Sequence, residues 1–188
     1  MNRYEPIIDS MFEKQEELMK AFKPIERLPA WPVSLQSIGG QALMRDFIGR
    51  IGEELVEAYD ALSQEATDEE LVDTFHFLTE LAIFAGVSND TVIRRVGECD
   101  YREATSDVLE RMYHRVHISL GRLRHEFKLR PWKVNPKPTN EQAIRQQIPV
   151  LFVQMFDIWH GHGRTIADLD RAFRNKYLVN MQRIMAKI

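Results

Sequence analysis

Apolar residues recur at intervals of three and four along most of this chain, and nowhere do they alternate in the period of two that marks a strand. Residues 7–23 place Ile8, Met11, Phe12, Leu18, Met19 and Phe22 on one stripe, which predicts an amphipathic helix starting near Asp9 or Ser10 and stopped by Pro24 and Pro29. After the loop around Trp31 and the Gly39-Gly40 pair, a second helix is expected from about Gln41 to Ser63. Its core-facing seam is Leu43, Phe47, Ile51, Leu55, Tyr59 and Leu62. Thr67 followed by Glu70 resembles a capping box, so a third helix is predicted from near Asp68 to Gly86. Leu71, Phe75, Leu78 and Ala82 form one face of it, while Phe77 and Phe84 share the other with Glu70, Asp73 and Glu80, so both faces read as buried.

A short helix over about Asp90 to Glu98 and a long one from Thr105 to about Leu129 follow. The latter carries Leu109, Met112, Val116, Leu120, Leu123 and Phe127 near heptad spacing. Residues 131–138, P-W-K-V-N-P-K-P, cannot be helical and predict an internal linker. Beyond it, Thr139 to Gln142 opens an almost wholly apolar helix through Pro149, ended by H-G-H-G at 160–163. A last helix runs from about Thr165 with Leu169, Phe173 and Leu178 inward. The pattern predicts an all-α single domain over 1–188, a helical bundle with a four-helix-like centre. No internal repeat is present.

The chemistry lies in the second and third helices. Glu54 with Glu57, and Glu70 with Asp73, stand at i, i+3, which puts each pair on one helix face. If the two helices pack antiparallel, the four carboxylates gather into a cluster that repels itself unless a divalent cation sits in it. An ordinary exposed helix face accounts for any lone E-x-x-E; two pairs on successive helices, one inside an apolar segment, do not fit that account as well. A third element points the same way. Lys176, Asn180 and Arg183 fall at i, i+4 and i+7 on one face of the last helix and supply cationic and amide donors suited to phosphate oxygens.

Composition narrows the setting. With 188 residues, 44% of them hydrophobic, the chain is long enough to bury a sizeable core. A net charge of -3 argues against a protein that coats nucleic acid, and no stable nucleic-acid binding is expected. Cys99 is the only cysteine, so no intrachain disulfide forms and a reducing compartment is expected. No apolar leader and no stretch of about 18 apolar residues is present, which predicts a soluble, cytoplasmic protein with no membrane partner.

G-E-E-L-V-E-A followed by E-L-V-D-T-F-H-F resembles the E-x-x-E and E-x-x-D signature of the all-α nucleoside triphosphate pyrophosphohydrolases. D-T-F-H-F is more similar to the dimeric dUTPases and the dCTP pyrophosphatases of T-even phages than to the wider MazG group. K-Y-L-V-N-M-Q-R resembles the phosphate-holding K-x-x-x-N-x-x-R helix of those enzymes, and all three motifs stand in the family's order.

The resemblance implies Mg²⁺-dependent hydrolysis of a deoxynucleoside triphosphate, dUTP or dCTP favoured, to the monophosphate and pyrophosphate, with Mn²⁺ as a substitute cation and a homodimer as the assembly. It further implies Glu54, Glu57, Glu70 and Asp73 as metal ligands and Glu53 as a further ligand or the base that orients water. Substrate contacts would come from Gln15, His76, Lys176, Asn180 and Arg183. Residues 95–165 match nothing in that family, and Arg183 is followed by I-M-A-K-I instead of the family's R-Q-x-x-G-Y.

Two other classes compete. Asp73 and His76 form a D-x-x-H step of the kind found in carboxylate-bridged di-iron bundles, which need a second such step that this chain lacks. A non-enzymatic helical dimerisation or adaptor protein would carry the same acids as decoration. His160 with His162, the arginines at 111, 115, 122 and 124, and the three tryptophans read as loop, solvated-face and packing residues respectively.

Overall fold

A computed structural model of the chain describes residues 2–128 and 138–186, so most of the expected 131–138 linker lies outside the described residues. Those residues form seven α-helices and no strand. They are α1 (Glu5–Glu26), α2 (Ile38–Asp60), α3 (Gln64–Ala85), α4 (Asn89–Gly97), α5 (Ser106–Glu126), α6 (Glu141–Gly161) and α7 (Ile166–Met185). The all-α expectation therefore holds for the described residues.

At the centre lies α3, because it is apolar on nearly every side. Its Phe75 meets Phe156 and Trp159 of α6 at ring distances of 5.2 and 6.5 Å, and Phe84 meets Phe47 of α2 at 5.3 Å. On α7, Phe173 stacks on His76 at 3.8 Å. One buried cluster draws side chains from all seven helices, with Trp159, Phe75, Phe84 and Phe156 fully buried. The helices α2 and α3 are joined by only three residues, and Phe47 reaches Phe84 and Phe77 while the later Glu54 reaches the earlier Glu70. Contacts that move backward on one helix as they move forward on the other make the pair antiparallel.

Several ends fall elsewhere than the sequence predicts, each for a local reason. α1 begins at Glu5, with Pro6 in its first turn where a missing N–H costs no hydrogen bond, and Ser10 is buried inside it. At its other end α1 runs on through Pro24 to Arg27, which closes it at φ 53°. α2 begins at Ile38, capped by Ser37, whose Oγ accepts from the Gly40 N–H at 3.0 Å. Gly39-Gly40 thus opens the helix instead of preceding it, and a Cβ at Gly40 would collide with the Ser34 carbonyl.

Ser63, not Thr67, caps α3, since Thr67 turns its hydroxyl back to the Ser63 carbonyl at 3.0 Å. Gly86 ends α3 at φ 70°, bonding the Ala82 and Ile83 carbonyls. Asn140 caps α6, while Thr139 lends its hydroxyl to Gln41 instead. Three residues expected inside are exposed: Tyr59, Leu62 and Leu178. Leu62 lies beyond the end of α2 at Asp60, and Tyr59 rests edge-on against Tyr113 at the surface.

Candidate functional site

Four helices converge on one cavity of about 320 Å³. α1 contributes Gln15, α2 Glu54, α3 Asp73 and His76, and α7 Lys176, Asn180 and Arg183. Seven of the ten residues singled out from sequence thus line a single space. The reason is helical phase. Asp73 and His76 are one turn apart on α3, Lys176, Asn180 and Arg183 follow one another around α7, and the His76–Phe173 stack fixes α7 against α3 so that the two rows face.

At the cavity edge Glu54, Glu57 and Glu70 bring one carboxylate oxygen each to within 4.8 Å of one another. Glu54 and Glu70 are half-buried and Glu57 is exposed. Burial, then the charges of Asp73 and Glu57, push the Glu54 carboxyl up to about 7, and it is hydrogen-bonded to Glu70. Burial also raises Glu70. Both shifts favour a protonated Glu54, whose hydrogen bond to Glu70 relieves part of the repulsion that a cation would otherwise relieve. Three hard oxygen donors with no nitrogen or sulfur among them fit a divalent cation of the magnesium, manganese or calcium type. The cluster is compatible with metal binding.

Asp73 stands apart from that triad. Its Oδ2 accepts from Lys176 Nζ at 2.6 Å, and Lys176 also reaches Glu69 at 3.1 Å. Burial raises the Asp73 carboxyl despite Lys176. Burial lowers the Lys176 amine, but Asp73 and Glu69 outweigh that effect and leave it raised and charged. Lys176 thus bridges α7 to α3 beside the acids, with Asn180 and Arg183 beyond it; Arg183 Nη1 lies 3.5 Å from Asn180 Oδ1.

Glu53 faces away. It is exposed and lines a separate groove between α2 and α5, with Gly49, His117 and Arg124, and only Glu57 belongs to both the groove and the triad. One residue is about 100° of helix, enough to put Glu53 and Glu54 on different faces.

His76 is not a ligand in the acid cluster. Its Nδ1 meets Gln15 Oε1 at 2.8 Å and Gln15 Nε2 donates to Glu80 Oε2 at 3.0 Å, so Nδ1 carries the proton and Nε2 is a bare acceptor. That Nε2 is buried with no hydrogen-bond partner among the described residues. Burial lowers the imidazole to about 3, keeping it neutral. Asp73 of the D-x-x-H step is paired with Lys176 and His76 with Gln15, and neither belongs to the acid triad.

Sequence reasoning placed Glu80 on the buried face but assigned it nothing, and overlooked Arg50 altogether; both line the cavity. The signal for Glu80 was available, because it lies four residues after His76 and seven after Asp73 on the same stripe. Arg50 carried no such signal, since its place depends on Phe47 and Phe77, whose rings it covers at 5.3 and 5.6 Å.

His160 and His162 do not converge: His160 bonds the Tyr4 hydroxyl and the Arg164 carbonyl, and His162 bonds the Tyr113 hydroxyl. Cys99 is free and half-buried. Among the described residues no helix is long and apolar enough to cross a membrane.

No protein-family model matches this chain, and no curated protein and no solved structure matches it either.

Proposed function

We propose that the protein is a divalent-cation-dependent pyrophosphohydrolase of deoxynucleoside triphosphates, with the architecture of the all-α nucleoside triphosphate pyrophosphatases that its E-x-x-E, E-x-x-D and K-x-x-x-N-x-x-R motifs resemble. One observation carries the reading: Glu54, which gathers with Glu57 and Glu70 in the acid triad, also lines the cavity of Asp73, Lys176, Asn180 and Arg183. Acids that favour a cation beside cations that favour a polyanion suit a metal–phosphate substrate better than they suit either partner alone.

In the reaction, water oxygen bonds to the α-phosphorus as the bridge to the β-phosphorus breaks, the water's proton passes to a carboxylate of the acid cluster, and pyrophosphate leaves with the electron pair of the broken bond. Glu54, Glu57 and Glu70, with Asp73 beside them, would hold the cation, which would supply Lewis acidity at the phosphoryl oxygens. Lys176 and Arg183 offset charge on the leaving group, and Asn180 orients it through its amide. Glu53 lies on the outer face of α2, in the separate groove that Glu57 also lines.

The test is a panel of deoxynucleoside triphosphates with Mg²⁺, scored for pyrophosphate against orthophosphate. Pyrophosphate release that is abolished by EDTA and reduced by Glu54→Gln and by Asp73→Asn is expected. Release of no pyrophosphate from any of them, or full activity in both variants, refutes the reading.

A further inference from the structure

Glu80 is a half-buried acid whose environment the hydrolytic chemistry leaves unexplained. It sits two turns beyond Asp73 on the same stripe of α3, about 10 Å along the axis, the length scale that separates a nucleotide's phosphate from the far edge of its base. Both carboxyls line one cavity. No cation pairs with Glu80 among the described residues. Of its charged neighbours, Glu26 of α1 repels it, Arg50 of α2 is bonded to Asp46 at 3.0 Å, and Lys176 of α7 is engaged with Asp73. His76 on its own helix is neutral. Beside it the lining is largely apolar: Phe47 and Phe77 meet edge to face at a ring distance of 6.1 Å with Arg50 over both rings, and Leu18 and Phe22 of α1 stand alongside. Such a lining suits a partly apolar, planar group.

Polar groups in this slot have a fixed direction. Gln15 spends its carbonyl on His76 Nδ1 and its amide N–H on Glu80 Oε2. Gln15 positions Glu80 through this bond and makes Oε2 an acceptor, while its amide nitrogen keeps a second N–H that neither contact uses. His76 lines the same cavity, and its Nε2 is buried without a hydrogen-bond partner among the described residues.

Resting on the nucleotide reading above, we propose that Glu80 is the specificity-determining residue of this cavity, selecting a base whose Watson–Crick edge sets an amino group beside an unprotonated ring nitrogen, as in cytosine and adenine, over uracil, thymine or guanine. The acid offers Oε1–H to the ring nitrogen and Oε2 to the amino group. Uracil in the same pose sets its N3–H against a donor and its O4 against an acceptor, and guanine does the same with N1–H and O6. Burial, with Glu26 adding to it, pushes the Glu80 carboxyl up to about 7, so the donor is present at neutral pH and below.

Base reading is separable from catalysis by calorimetric binding of dCMP, dAMP, dUMP, dTMP and dGMP to the full chain, alongside the ratio of kcat/KM for the matching triphosphates. The wild type is expected to prefer the cytosine or adenine nucleotide by roughly tenfold or more, the cost of two buried mismatched polar contacts, and the two separate by which binds tighter. The preference should fall as pH rises past about 7, where Glu80 ionises. Glu80→Gln, which keeps a donor beside an acceptor, should retain the preference and lose its pH dependence. Glu80→Met, apolar and of similar length, should lose the preference.

Equal binding of all five monophosphates by the wild type, a preference for uracil, thymine or guanine, or an unchanged preference in Glu80→Met overturns the inference. Pyrophosphate release without base selection sinks this inference alone. Base-selective binding without pyrophosphate release sinks the hydrolase reading alone.

Discussion

Replacing Glu80 by glutamine should stabilise the protein at alkaline pH and leave it nearly unchanged at acidic pH. The folded structure holds this carboxyl at about 7 against 4.5 for a solvated glutamate, and a displacement of that size is linked to about 3 kcal/mol. The sign follows from proton counting. Between those two values the folded state keeps a proton that the unfolded chain releases, so the contribution is complete below 4.5 and is lost as pH rises through about 7. Glutamine has no proton to lose, and its amide can still accept from Gln15.

The difference in unfolding free energy between variant and wild type should therefore grow by about 2 to 3 kcal/mol between pH 4.5 and pH 8.5, or roughly 5–10 °C in Tm for a chain of this size. Taking a difference removes the other titrations. Among them is His76, whose imidazole is lowered to about 3 and whose contribution runs the opposite way, lost as pH falls below 6.5. Urea unfolding at a series of pH values reads the difference directly. A gap that stays constant with pH would mean that Glu80 titrates as a solvated acid, and both its burial and its role in base reading would fall together.

Three further outcomes follow from the same geometry. Mg²⁺ should raise Tm over EDTA, and more strongly as pH rises through about 7, because binding must displace the proton that keeps Glu54 neutral; a Tm gain that is absent or independent of pH counts against the triad. Lys176→Met removes the charge that bridges Asp73 and Glu69 at 2.6 and 3.1 Å, and should lower nucleotide turnover by roughly two orders of magnitude while circular dichroism stays helical; turnover within a few-fold of wild type contradicts a phosphate role. Trp159→Ala empties the fully buried contact with Phe75 and frees the Thr165 carbonyl, which should cost about 3–5 kcal/mol in urea unfolding; a loss below about 1 kcal/mol would mean that α6 does not pack against α3 as described.

Angular position was legible in the sequence; the identity of the neighbour was not. The three- and four-residue rhythm located all seven helices, and i, i+3 and i, i+4 spacing placed Glu54 with Glu57 and Lys176 with Asn180 before any contact was known. The same rhythm put Tyr59 and Leu62 inside, because periodicity does not register that α2 stops at Asp60. It likewise offered Thr67 as a cap when Ser63, four residues earlier, had the geometry to serve. The separation of Glu53 from Glu54, and of Asp73 from the acid triad, depended on which helix lay opposite: α5 for the first and Lys176 of α7 for the second. Glu80 was visible on its stripe, but only the Gln15 and His76 contacts give it a direction.

The most direct test of a cation-assisted phosphate site is anomalous diffraction from crystals soaked in Mn²⁺ with a non-hydrolysable deoxynucleoside triphosphate. The predicted result is an anomalous peak bounded by the carboxylates of Glu54, Glu57 and Glu70, in contact with a phosphate that also touches Lys176 or Arg183. A peak elsewhere, or nucleotide density with no ion at those three acids, would contradict it.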